Sequence, residues 1–101
     1  DFLEPDEVAF AVLLRGYGNA TPPNWQKIDA TLTTMQLKYG LVPATTSYNA
    51  LLEVCCRTND VERGEDIIDR MHTDEVEPDE FTEAAVASRR TLRAYLRKVF
   101  S

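Results

Sequence analysis

Few residues of this 101-residue chain combine a reactive type with a useful spacing. His72 is the only histidine, in the polar run Met71-His72-Thr73-Asp74 near the end of an expected helix. A cationic side chain suits that terminus, and a general base would need a paired acid and a pocket besides. Cys55 and Cys56 are adjacent, so they can neither complete a zinc set nor staple distant segments. As nucleophiles they would need an activating base, and none is near in sequence. Glu62, Glu65, Asp66 and Asp69 fall on the outer side of an amphipathic helix, without the spacing of a calcium or magnesium loop, and read as a solvated face. A Gly-rich phosphate loop is missing too. The expectation is a non-enzyme: no catalytic residue, no metal, no cofactor and no small-molecule substrate.

Charge is the next clue. The formal net charge is −6, which works against broad clamping of a phosphate backbone. The sign is uneven. Residues 1–79 hold 6 cations against 15 carboxylates, whereas residues 80–101 hold 5 against 2. Arg89, Arg93 and Arg97 stand at i, i+4 and i+8 in that last stretch, a basic stripe flanked by Arg90 and Lys98. Such a stripe suits RNA phosphates or an acidic protein partner. No apolar run reaches the ~20 residues of a membrane span, so a soluble chain with no membrane partner is expected. The two cysteines fit a reducing compartment.

Positioning these residues falls to helices. Asp6 follows Pro5 and should cap a first helix over 7–17, with Val8, Ala11, Val12, Leu14 and Arg15 on different faces and Gly16 and Gly18 ending it. Residues 19–24, with Pro22-Pro23, read as a loop. A second helix over 25–39 carries Ile28, Leu32, Met35 and Tyr39 at helical spacing, with Trp25 packing on the core and Gly40 closing it in a left-handed turn. A third, over 46–58, has the apolar stripe Tyr48, Leu51, Leu52 and Cys55. Asp60 caps a fourth over 61–73, where Gly64 costs about 1 kcal/mol relative to alanine and implies a close helix approach. Asp79 caps the final segment, 80–101, which is either one long helix or two with a break near 89–91.

The pattern repeats. Glu4-Pro5-Asp6, Val42-Pro43-Ala44 and Glu77-Pro78-Asp79 are similar closing signals, with the prolines 38 and 35 residues apart. Val8 to Leu14 lies over Thr46 to Leu52, an aromatic preceding a Leu-Leu pair in both. Self-similarity at such a period marks a helical-repeat solenoid. The fold class is therefore all-α, helix–turn–helix units stacked as an α-solenoid.

Ser47-Tyr48-Asn49-Ala50-Leu51-Leu52, then Cys56-Arg57, Val61-Glu62, the run to Met71 and Val76-Glu77-Pro78-Asp79 resemble the pentatricopeptide repeat (PPR) family. The resemblance implies about two and a half units: residues 1–6 as the tail of a preceding repeat, 7–44 as a degenerate unit with a three-residue loop extension, 45–79 as a well-formed unit, and 80–101 as a partial repeat or basic capping helix. The chain reads as a piece of a larger solenoid. The family's usual ligand is single-stranded RNA, in mitochondria or chloroplasts, and the expected compartment puts the chloroplast first. One base is read per repeat by two or three side chains. The resemblance places those roles on Asn49 and Asp79, a uracil-preferring combination, with Thr46 sandwiching the base and the amide presenting both donor and acceptor. The matching places upstream hold Val8, Ala11 and Ala44, and Ala84 downstream, none able to read a base. RNA binding through Thr46, Asn49, Asp79, Arg89, Arg93 and Arg97 is one expectation. The rival is a protein–protein scaffold in an organellar complex, such as a plastid transcription assembly or ribosome.

Overall fold

The computed structural model describes residues 6–101; the expected tail of a preceding repeat lies, apart from Asp6, outside them. The described residues form six helices: α1 (Glu7–Asn19), α2 (Trp25–Tyr39), α3 (Thr45–Arg57), α4 (Val61–Thr73), α5 (Glu80–Val86) and α6 (Arg90–Val99). Each begins or ends for a local reason. Asp6, Asn24, Asp60 and Asp79 accept hydrogen bonds from backbone N–H groups one turn into α1, α2, α4 and α5, meeting donors that a helix start leaves without partners. At the other ends Gly40, Asn59 and Glu75 take left-handed conformations, with φ of 62°, 57° and 59°. The N–H groups of Asp60 and Val76 then fold back to the carbonyls of Cys55 and Met71 at 2.8 and 2.9 Å, closing two Schellman-type turns, and at Gly40 the Leu41 N–H reaches one residue further back, to the Met35 carbonyl at 2.8 Å.

The helices lie in two layers. In the first, α3 sits between α1 and α5; in the second, α4 packs beside α6; each odd-numbered helix also packs on the even-numbered helix that follows it. This is the helix–turn–helix stacking expected of the α-solenoid. The apolar stripes turn inward together: Phe10 and Leu14, Ile28, Leu32 and Met35, Tyr48, Leu51, Leu52 and Cys55, Ile67, Ile68 and Met71, Val86, then Leu92 and Leu96 form one buried cluster. Burying a large apolar side chain contributes about 1.5–3 kcal/mol, and this cluster holds the layers together. Trp25 packs against it, with the Arg63 guanidinium 4.7 Å from its ring centroid.

Three expectations need correction or completion. α1 continues past Gly16 and Gly18 to Asn19 instead of stopping at 17. Gly18 is buried against α3, where a β-carbon would come within 3.0 Å of Val54 Cγ2, and its carbonyl accepts from Arg57 Nη2 at 2.9 Å. The glycine serves close packing, not termination. In the same helix Val8 and Val12 are exposed, and Phe10 and Leu14 make the buried face. The last segment is two helices, broken at residues 87–89, slightly ahead of the expected place. Gly64 does mark a close approach: a β-carbon there would lie 2.6 Å from Leu92 Cδ1 of α6.

Candidate functional site

The sequence-picked residues divide between the layers. Thr46 and Asn49 sit in the first two turns of α3, and Asp79 is the N-cap of α5, the neighbouring first-layer helix. Their meeting is direct: the Asn49 amide nitrogen donates to Asp79 Oδ1 at 3.2 Å. Asp79 Oδ1 also accepts from the backbone N–H groups of Phe81 and Thr82, both at 3.0 Å. The donors around Asp79, the Thr82 N–H foremost, hold its carboxyl below the usual range despite some desolvation.

Thr82 completes the arrangement, and sequence reasoning missed it. Its hydroxyl accepts from the Asp79 N–H at 3.0 Å, the reciprocal half of a capping box. It donates to the Asn49 amide oxygen at 2.6 Å. The hydroxyl is also 3.1 Å from Asp79 Oδ1, but one proton serves one acceptor, and the shorter contact goes to Asn49. Asn49 and Thr82 are buried, whereas Thr46 and Asp79 are exposed. The expected dual role of the Asn49 amide is therefore halved, because its oxygen is committed to Thr82. Among the described residues, one amide N–H of Asn49 and Oδ2 of Asp79 have no protein partner.

Phe81 is a second residue that the sequence reading passed over. It is 65 % exposed, 35 positions after Thr46, and so holds in α5 the place that Thr46 holds in α3. That spacing was the signal available in the sequence. Upstream, Ala44 is the N-cap of α3 with no side-chain hydrogen bond, and Ala11 carries no polar side-chain group. The Asn49–Asp79–Thr82 bridge has no counterpart there.

The arginines are not gathered with Asn49. Arg93 and Arg97 are exposed on α6, in the second layer. Arg89 leaves the expected stripe: it precedes α6 as its N-cap with extended backbone, and its Nε donates to the Cys56 carbonyl at 2.9 Å. The carbonyls at the end of α3 lack helical partners and carry partial negative charge, which is what draws the guanidinium inward.

The residues weighed for catalysis have other employment. Cys55 and Cys56 are free and buried. Burial foremost pushes the Cys55 thiol up to about 12 and raises Cys56 as well, so neither supplies thiolate near neutral pH. His72 is exposed in the last turn of α4, its ring edge-on to Phe100 at 5.4 Å. Asp69 accepts from the Tyr95 hydroxyl at 2.7 Å. No group of metal-ligating side chains occurs among the described residues.

A family model for the pentatricopeptide repeat domain matches residues 32–82, half of the chain, spanning Thr46, Asn49, Asp79 and Thr82. The chain belongs to the pentatricopeptide repeat family. No curated protein and no solved structure matches it. The PPR match runs from the middle of α2 to the first turn of α5, so it takes in the α3–α5 junction where Asn49 meets Asp79. No described helix of this PPR chain is long and apolar enough to cross a membrane.

Proposed function

We propose that this PPR chain binds single-stranded RNA at the α3–α5 junction, taking one base between Thr46 and Phe81 and contacting its edge through Asn49 and Asp79. The observation that carries this reading is the 3.2 Å Asn49–Asp79 hydrogen bond, with the remaining amide N–H beside a carboxylate oxygen. A uracil ring offers the complementary groups, a carbonyl oxygen for the N–H and its N3–H for the carboxylate. Phe81 supplies an aromatic face, and base–aromatic stacking contributes about 1–3 kcal/mol per base. The site reads one base, so target choice belongs to an array of repeats of which 45–79 is the well-formed member and 7–44 a silent one.

The test is fluorescence anisotropy with oligouridylate, oligocytidylate and oligoadenylate of equal length. Asn49→Ala should remove the preference for uridine; a preference unchanged by that substitution would sink the reading. Arg93 and Arg97 enter only as general electrostatic support, seen as the salt dependence of binding.

Ala11, Ala44 and Ala84, with the net charge of −6, favour a second reading, a scaffold that holds neighbouring proteins in an organellar complex. It predicts protein cross-links without RNA adducts when the native complex is irradiated, whereas adducts near Tyr48 to Ala50 favour RNA. Membership of the family supports an organellar setting, and within it we propose the chloroplast ahead of the mitochondrion. Probing fractionated plastids and mitochondria for the chain would decide it, and a cytosolic location would refute it.

A further inference from the structure

The second layer is interrupted between α2 and α4. α4 lies close along α6, but the backbones of α2 and α4 stay apart. The residues at matching places explain the difference. Asp29 stands fifteen residues before Ala44, as Gly64 stands fifteen before Asp79, and Arg63 is the third residue of α4, as Leu92 is of α6. Where Gly64 admits Leu92 closely, Asp29 and Arg63 instead span the interval with an ion pair of 3.4 Å. The interval is a groove of two clefts, about 300 and 320 Å³, that share Asp66 and Arg70. Buried Leu32 and Ile67 form its floor, with Trp25 at one end and Asp74 at the other. From Arg63 to Thr73 it runs about 15 Å along α4. Both walls are helices inside the stack, so a further repeat at either end would leave the groove open.

We infer that this groove seats an extended segment of a partner protein in which lysines or arginines alternate with apolar side chains. Alternate residues of an extended chain point to opposite sides, so the apolar ones rest on Leu32 and Ile67 while the cations reach the rim. A run of about 15 Å takes about four or five such residues. Charge complementarity favours this occupant. Both ion pairs among the described residues belong to Arg63, which leaves Asp66, Asp69 and Asp74 against the single guanidinium of Arg70. Asp69 and Asp74 each accept a tyrosine hydroxyl, and that leaves their charge in place. Glu62 and Glu65, also on α4, deepen the negative field. An RNA backbone meets repulsion here. A bare divalent cation has no seat, because no group of side chains able to hold a metal occurs among the described residues. The groove lies in the second layer, apart from the Asn49–Asp79 junction in the first, and does not depend on it.

Trp25 is the single tryptophan of the chain and lines the groove, so its fluorescence reports occupancy. The probe is an eight-residue peptide alternating lysine and leucine, beside a version with glutamine for each lysine. Titration into the 101-residue chain should shift Trp25 emission saturably with the lysine peptide. The glutamine peptide should bind at least tenfold more weakly, and added salt should weaken the lysine peptide. Gln36→Lys with Asp66→Asn should weaken binding at least tenfold and leave circular dichroism unchanged, because both side chains are exposed. Glu7→Gln with Glu77→Gln makes the same change of net charge elsewhere on the surface and should leave the affinity within twofold of wild type. Saturating dodecauridylate should not displace the peptide. No saturable shift, equal affinity for the two peptides, or no effect of the groove changes would overturn the proposal. Equal losses in the two variant pairs would overturn it in favour of diffuse attraction to an acidic surface. Displacement by dodecauridylate would overturn it in favour of an RNA groove, and self-association abolished by the Gln36 and Asp66 changes in favour of a second copy.

Discussion

Thr82→Val isolates what the buried hydroxyl does. Valine keeps the shape and removes the oxygen that joins Asp79 N–H to the Asn49 amide oxygen. Thr82 is fully buried and Asn49 is 5 % exposed, so water cannot readily replace the lost bond. Stranding a buried acceptor costs about 1–3 kcal/mol. Losing half of a capping arrangement adds to that, typically about 0.5–1 kcal/mol. A total near 2 kcal/mol corresponds to a fall in melting temperature of about 8–16 °C for a domain of this size. Thr82→Ser keeps the hydroxyl and loses one methyl, about 0.8 kcal/mol. Thermal unfolding followed by circular dichroism should therefore order the proteins wild type, serine, valine. Anisotropy with oligouridylate and oligocytidylate adds a second readout. The valine variant should bind both with reduced discrimination, since the amide no longer has one fixed orientation, and the serine variant should discriminate as wild type does. A valine variant that melts within 2 °C of wild type and keeps its preference would refute the reasoning.

Other expectations follow from single contacts. Gly64→Ala gains about 1 kcal/mol of helix propensity but forces Leu92 from its packed position, a strain of about 1–3 kcal/mol. Urea unfolding should show net destabilisation, and the cost of Leu92→Ala should shrink by at least 0.5 kcal/mol in the alanine background if the two sites couple. Glu75→Gly should stabilise the fold by about 1 kcal/mol, because glycine adopts the left-handed conformation at φ 59° without the strain a side chain brings; a lower urea midpoint would contradict this. Tyr48 is fully buried, and burial first, then its 2.5 Å bond to Asp74, raises its ionisation well above the ordinary range. The unfolded chain ionises tyrosine near pH 10, so this contribution is present below that pH and is lost as pH rises above it. Tyr48→Phe should flatten the alkaline stability curve by about 1.4 kcal/mol per pH unit above pH 10, measured by urea titration at fixed pH; an unchanged slope would count against it. Asp79 has the opposite sign. Its lowered carboxyl contributes above the ordinary carboxylate range and loses that contribution as pH falls through it, so Asp79→Asn should flatten the acid limb of the same curve.

Local signals carried most of the fold. Asp6, Asp60 and Asp79 cap helices as their neighbours in sequence imply, and the spans of α2 and α4 follow from their apolar spacing with Gly40 and Asp60 as punctuation. Gly64 in an otherwise regular helix pointed to a close neighbour, which proved to be Leu92. What escaped was the partner across the stack. Gly18 looked like a terminator because glycine weakens helices in isolation, yet Val54 lies 36 residues away and only stacking brings them together. Arg89 looked periodic with Arg93 and Arg97 because periodicity counts residues and is blind to the carbonyl of Cys56. Asn49 and Asp79 were legible as a combination through the family's repeat, whereas Thr82 belongs to the next unit, beyond the boundary that such a reading draws.

The contacts between neighbouring first-layer helices differ along the stack. Between α3 and α5 the early turns are fastened by Asn49, Asp79 and Thr82, and the Cys56 carbonyl near the end of α3 is held by Arg89 from the start of α6. Between α1 and α3 the late turns are fastened by Arg57 on Gly18, but Ala44, in the place of Asp79, has no side-chain bond to offer. The α1–α3 junction is thus tied by a side-chain bond at one end alone, whereas the α3–α5 junction is tied at both. Fewer side-chain hydrogen bonds therefore span the junction with the alanine. In such a stack an alanine at the closing place of a repeat removes one of the side-chain ties between neighbouring units.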